Sequence, residues 1–175
     1  DIELDDVNYT NVGELVDRID DKILDNYFRN YWQASLSKYK YSGPAIINEV
    51  NASKPRKVLD IGCGAHEFKG KIDNLIGIDP YHSNADIEVK LLDYHPTEKF
   101  DATLALGSIN FGSTDKIFAE LEHAVSLCNP GALMFFRANP GLPHDVEPDR
   151  TGGRHSQWIS FYPWDANFII NSADQ

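Results

Sequence analysis

Sulfur is scarce in this 175-residue chain, which has two cysteines, Cys63 and Cys128, and one methionine. Two cysteines allow one bridge at most, and Cys63 lies between two glycines, an awkward place for one; a reducing, cytoplasmic setting is expected. Long apolar runs are missing too. The longest are a handful of residues, against the roughly 18 to 20 needed to span a bilayer, so no membrane span is expected. Residues 1–10 are acidic where a signal peptide is basic and then apolar, so no leader is expected. The first residue is Asp1 rather than methionine, which reads as a trimmed or partial sequence. Basic charge is also short, with 16 Lys and Arg against 27 Asp and Glu, a net charge of −11. An acidic whole argues against non-specific nucleic-acid binding. Internal repeats and low-complexity tracts are absent.

What is present suffices for one domain. Hydrophobic residues make up 42% of the chain and aromatics 11%, enough for a packed core, since a domain of this length buries roughly 70% of its unfolded surface. Charge is segregated: residues 1–25 carry −7, residues 26–72 carry +5 and the remainder −9. Val12, Leu15, Val16, Ile19 and Ile23 recur at helical spacing, with Asn11 and Glu14 placed as an N-terminal cap, so a helix is expected over 12–25. A second helix is expected through Tyr27, Phe28, Tyr31, Trp32 and Leu36. A third, short helix follows the Ser42-Gly43-Pro44 break. Strand-like runs come next at 57–61, 75–78, 87–92, 102–106 and 132–137, with a helix over 114–127 before the last. Strands alternating with helices, and strands that read as buried and non-alternating, mean a parallel α/β sheet. Residues 139–153 read as a loop, 157–162 as an extended segment and 165–172 as a last helix.

Chemistry is concentrated at the strand ends. In an open parallel sheet, ligands bind beyond the carboxyl ends of the strands. Asp60, Gly62, Cys63, Gly64, Asp79, Pro80, Asp93, Leu106 and Gly107 all fall there. Glycines let a ligand come close to backbone where a Cβ would block it. A carboxylate ending the second strand suits the two hydroxyls of a ribose, and Asp93 is within reach of an adenine.

The ordered motifs Val58-Leu59-Asp60-Ile61-Gly62-Cys63-Gly64, Gly77-Ile78-Asp79, Leu92-Asp93, Phe100-Asp101-Ala102 through Leu106-Gly107, and Asn129-Pro130-Gly131-Ala132 resemble those of the class I S-adenosylmethionine-dependent methyltransferases over about residues 56–138. The resemblance implies a Rossmann-like, mostly parallel sheet of order 3-2-1-4-5, without the sixth and seventh strands usual in the family. It implies S-adenosyl-L-methionine as cofactor, with Asp60 and Gly62 by its methionine end, Asp79 on the ribose, Asp93 on the adenine, and Leu106 and Gly107 near the sulfonium. Three departures stand out. His66 replaces a frequent third glycine, where it closes the loop over the cofactor or caps a short helix. The intervals Asp60 to Asp79 and Asp79 to Asp93 are short, so the crossover helices are shortened or replaced by loops. The last two strands are missing.

The nicotinamide alternative needs G-x-G-x-x-G, and its third position is Glu67, whose carboxylate opposes a pyrophosphate. No Gly-Lys-Ser/Thr phosphate loop exists. Methyl transfer needs chiefly alignment, so catalytic groups are hard to name. His155 and His144 follow the fifth strand and can take a proton from an alcohol, or are surface histidines. Asn110 orients a substrate, or caps the next helix with Ser113. Arg137 and Arg154 bind an anionic acceptor or are surface charge. The aromatics of residues 27–41, interleaved with basic residues, resemble a nucleic-acid platform but are more simply the packing of a helical lid. The six histidines show no metal-ligand spacing. The expectation is a single domain, with residues 1–52 a helical cap, 53–138 the cofactor-binding core, and 139–175 a substrate-side loop and last helix. Its expected activity is methyl transfer to a small-molecule or glycan acceptor. The non-enzyme alternative is a methyltransferase-fold protein acting as a binding or structural subunit.

Overall fold

The computed structural model describes residues 12–32, 43–138, 162 and 164–173. Its elements are α1 (Val12–Asn30), α2 (Pro44–Ala52), β1 (Val58–Ile61), β2 (Leu75–Ile78), a 3-10 turn (Leu91–Asp93), β3 (Phe100–Leu106), α3 (Thr114–Ser126), β4 (Cys128–Arg137) and α4 (Ala166–Ala173). The four strands form one sheet in the order β2-β1-β3-β4, every pair parallel. β1 is buried at all four positions because the sheet is covered on both faces. Leu59, Ile61 and Ile78 pack with Ile117, Ala124 and Leu127 on one face. Val58, Ala102 and Leu104 pack with Ile46, Val50, Phe68 and Ile72 on the other. An irregularity between Phe100 and Ala102 shifts the β3–β4 register, from Phe100 opposite Cys128 to Ala102 opposite Leu133. It accommodates the Asn129-Pro130-Gly131 turn, where Gly131 has φ +79°.

Three expectations are corrected. The first two helices are one: α1 runs unbroken to Asn30, since neither proline nor glycine occurs between Glu14 and Asn30 and Arg29 pairs with Asp25 one turn earlier at 2.8 Å. The Asn11 cap and residues 33–42 lie outside the described residues. The expected strand over 87–92 is reduced to a single bridge between Ile78 and Ile87, followed by the 3-10 turn. The sheet thus keeps the expected order without its outermost strand. The cause is chemical. Pro80 has no N–H to give a ladder, and the next donor, Tyr81 N–H, goes to Asp79 Oδ1 at 2.7 Å. Glu88 and Lys90, on the alternating segment, are engaged by Arg29 and Asp21 of α1. Finally, the β1–β2 crossover contains turns and no helix, as its short length implies, and what is corrected is the reading of His66 as a helix cap.

α3 starts at Ser113, whose Oγ accepts from Lys116 N–H at 3.3 Å. Asp17 of α1 in turn accepts from Ser113 N and Oγ, both at 2.9 Å. Asp21 joins Lys90 and Lys116 at 2.6 and 2.7 Å. α1 is thereby fastened to both α3 and the segment after β2, and buries Leu24. Among the described residues no helix is long and apolar enough to cross a membrane.

Candidate functional site

β1 delivers Asp60 to the sheet end, where it is buried. Its Oδ2 has no hydrogen-bond partner among the described residues. Burial, helped by the charge of Asp79, pushes this carboxyl up to about 7. The chain then turns through Gly62 and Gly64, at φ +69° and +56°, the left-handed region that glycine enters without strain. A Cβ on Gly62 would collide with the Ser108 side chain. The Ser108 Oγ is also buried without a partner among the described residues. The amides of this turn face inward: Gly62 N and Cys63 N donate to Ile78 O at 2.8 and 3.0 Å, and Gly64 N to Asp79 Oδ2 at 2.9 Å. What the turn offers outward is glycine Cα surface rather than N–H donors.

Asp79 ends β2, buried. Its Oδ1 accepts from Tyr81 N at 2.7 Å and His82 N at 3.1 Å, and His82 Nδ1 lies 3.1 Å away. This Asx turn is what ends the strand. Above it sits an aromatic layer. Phe28 of α1 stacks on Tyr81, with centroids 5.3 Å apart and planes 10° apart, and meets Phe111 edge-on at 5.7 Å. Trp32, just beyond α1, meets His82 at 5.1 Å and lies so close to Gly64 that a Cβ there would come within 2.6 Å of its ring. Arg29 donates to Pro80 O at 2.8 Å and to Tyr81 O at 3.2 Å.

His66 does not close over this site. It has φ +57°, and its buried ring presses on the Gly77 backbone while Nε2 lies 2.7 Å from Asp86 Oδ2. Burial works to raise the Asp86 carboxyl, but Lys69, the Gly77 N–H and His66 together bring it down to about 2. Burial, and then the charges of Asp60, Asp79 and Asp86, push the Cys63 thiol up, which removes it as a nucleophile at neutral pH. Asp93 is exposed on the 3-10 turn. With Pro80, Tyr81, Val89, Arg29 and Asp25 it borders a cleft of about 720 Å³ beside α1. Gly107 has φ +103°, and Arg137, which donates to Leu106 O, covers it. Asn110 is buried and its carbonyl accepts from Tyr162 N at 2.6 Å; the cap of α3 belongs to Ser113 alone. His144, Arg154 and His155 lie outside the described residues. No group of three or more His, Cys, Asp or Glu among the described residues is arranged to hold a metal.

The structure thus gathers Asp60, Gly62, Gly64, Asp79, Leu106 and Gly107 at one sheet end, with Asp93 at its edge. Sequence reasoning missed Trp32, His82 and Ser108 as members of the site. The signal for His82 was its position three residues after Asp79, the spacing of an Asx turn.

No family model matches the sequence, and no curated protein matches it. Solved structures do. The N-methyltransferase NodS from Bradyrhizobium japonicum, in complex with S-adenosyl-L-homocysteine, superposes with a TM-score of 0.51 at 16% identity, over 66% of this chain and 70% of that one. PH0226 from Pyrococcus horikoshii gives 0.59 at 13%, over 85% of each chain. DesVI from Streptomyces venezuelae gives 0.50 at 16%, over 75% of this chain and 61% of its own. At such identities the likeness is one of fold, and the fold is that of the class I methyltransferases.

Proposed function

We propose that the chain binds S-adenosyl-L-methionine at the carboxyl ends of β1, β2 and β3 and transfers its methyl group to a small-molecule or glycan acceptor. The observation that carries this reading is Asp60: a carboxyl with an oxygen buried without a partner among the described residues, beside a glycine turn, fits an ammonium group. The bound cofactor supplies an electrophilic methyl group on a sulfonium. Asp60 and Gly62 receive its methionine end, with Cys63, Gly64 and His66 forming the wall behind. Asp79 and Pro80 serve the ribose, Asp93 the adenine, and Leu106 and Gly107 the side near the sulfonium. Little more than alignment is asked of the protein, so Asn110 is assigned to orienting the acceptor and His155 to accepting its proton.

Residues 1–52 act as a helical cap, 53–138 as the cofactor-binding core and 139–175 as the acceptor side. NodS, an N-methyltransferase crystallised with S-adenosyl-L-homocysteine, supports the cofactor class. The net charge of −11 supports an acceptor that is not a polyanion. Both cysteines are free thiols, in keeping with a cytoplasmic setting. The test is parallel calorimetric titration with S-adenosylmethionine, S-adenosylhomocysteine and NAD. Binding of the first two and not the third is expected; binding of NAD alone overturns the assignment.

A further inference from the structure

The Asp79 carboxylate is already in use. Its two oxygens offer about four lone-pair sites. Three backbone N–H groups, of Gly64, Tyr81 and His82, and the His82 ring nitrogen all lie within 2.7 to 3.1 Å of them. The three backbone donors are built into the turns that end β1 and β2. The His82 ring is the one side chain in the set, and so the one donor that rotation alone can withdraw. Its withdrawal frees one position, so a ribose hydroxyl seeking an acceptor on Asp79 competes with His82. The ring does not stand alone, because it meets Trp32 in an edge-to-face contact with centroids 5.1 Å apart, and Trp32 lies on the bare Cα of Gly64. Trp32 is two residues past the end of α1, beyond the part fastened by Asp17, Asp21 and Arg29. Its backbone N–H donates to Tyr27 O at 3.0 Å and its ring also meets Phe28 at 5.8 Å, so what can leave without α1 is the side chain, by rotation.

We propose that Trp32 and His82 form an internal plug that occupies the nucleoside position over Gly64 and Asp79, and that cofactor loading requires the pair to swing out together. The inference rests on the cofactor reading above and adds its regulation. The protein exchanges between a plugged and an open form, and only the open form accepts the ligand. Apparent affinity is then reduced by the fraction open, and weakening the plug raises it.

The test is calorimetric titration of S-adenosylhomocysteine into the parent chain and into His82→Ala, Trp32→Ala and Trp32→Phe, with tryptophan fluorescence followed in the same titrations. His82→Ala and Trp32→Ala are expected to bind about three- to tenfold more tightly than the parent, the range that loss of one aromatic contact allows. Trp32→Phe, which keeps a ring over Gly64, is expected to fall between. The parent's fluorescence is expected to change on binding as Trp32 leaves His82, and in Trp32→Ala that change is lost. Binding only by the variants supports the plug in its strongest form. If the parent binds and both alanine variants bind equally or more weakly, the plug is wrong while the cofactor reading stands. If no chain binds, the cofactor reading fails and the plug with it. Should Trp32→Ala not fold, His82→Ala decides by itself, since a merely structural role lowers its melting temperature without tightening binding.

Discussion

Gly64 N–H donates to Asp79 Oδ2 across 2.9 Å, tying the turn after β1 to the end of β2. The two motifs that sequence reading treats as separate ligand contacts are one mechanical unit. Its geometry depends on a carboxylate at 79 as much as on glycines at 62 and 64.

Asp79→Ala is therefore expected to act twice. Three backbone donors lose their acceptor, so the melting temperature falls, each unsatisfied group costing about 1 to 3 kcal/mol when buried. Binding of S-adenosylhomocysteine weakens as well. A charge-assisted bond to a ribose hydroxyl is worth roughly 1.5 to 3 kcal/mol, with part recovered by water. A net loss of about 1 to 2 kcal/mol corresponds to roughly 5- to 30-fold. Titration at a temperature where the variant is folded checks it, and parental affinity would sink the ribose assignment.

Much of this architecture is legible in the sequence because burial writes a plain pattern. Val58-Leu59-Asp60-Ile61 is apolar but for one acid, and only a strand covered on both faces needs that. Ser113 before an amphipathic run marks the start of α3. Residues 87–92 show where the pattern misleads. Their alternation of apolar and charged side chains suits an edge strand, yet the charged ones are held by Asp21 and Arg29, more than fifty positions away. Context of that kind overrides strand propensity. The capture of the Tyr81 and His82 N–H groups by Asp79 does have a local signal, the spacing of an Asx turn, whereas nothing local tells that Trp32 reaches Gly64.

Arg29 is an exposed side chain with an inward task, since it bonds to the carbonyls of Pro80 and Tyr81 and to Glu88. Arg29→Ala is expected to speed amide exchange in the last turns of α1 and in 80–82, and to leave β1 and β3 protected. Hydrogen exchange followed by mass spectrometry reads this directly. Unchanged exchange at both segments would show that Arg29 adds nothing to what the Phe28–Tyr81 stack and the Asp17 and Asp21 contacts already hold.

Binding and chemistry separate at His155. If it takes the acceptor's proton, His155→Ala lowers turnover by about a hundredfold or more and leaves cofactor affinity unchanged. Both are measured on one preparation, by product formation and by titration. A variant with parental turnover returns His155 to the surface.

The dependence of stability on pH is led by the two most strongly raised and the two most strongly lowered carboxyls. Burial, reinforced by Asp79, brings Asp60 to about 7. Burial, opposed by Lys116 but aided by Asp21 and Asp17, brings Glu120 to about 7 as well. In the unfolded chain both release their protons near ~4. Between about 4 and about 7 the folded protein retains protons that the unfolded chain has lost, so stability declines as pH rises through that window and levels off above it. The effect is on the order of a few kcal/mol. Asp86 and Asp101 act in the opposite sense. Lys69, Gly77 N–H and His66 outweigh burial at the first, and Arg56 and Asn129 hold the second, each at about 2. Their contribution is present above ~4 and is lost as pH falls toward 2. The free protein is thus expected to be most stable near pH ~4 to 5 rather than at neutrality. Urea midpoints from pH 3 to 8 test the shape. Asp60→Asn and Glu120→Gln should each flatten the decline toward neutrality while leaving the acid side as it is. An ammonium-bearing ligand that pairs with Asp60 should reverse the decline in the parent and have little such effect in Asp60→Asn. Variants that keep the full decline between pH 5 and 7 would show that these carboxyls are already ionised in the folded protein.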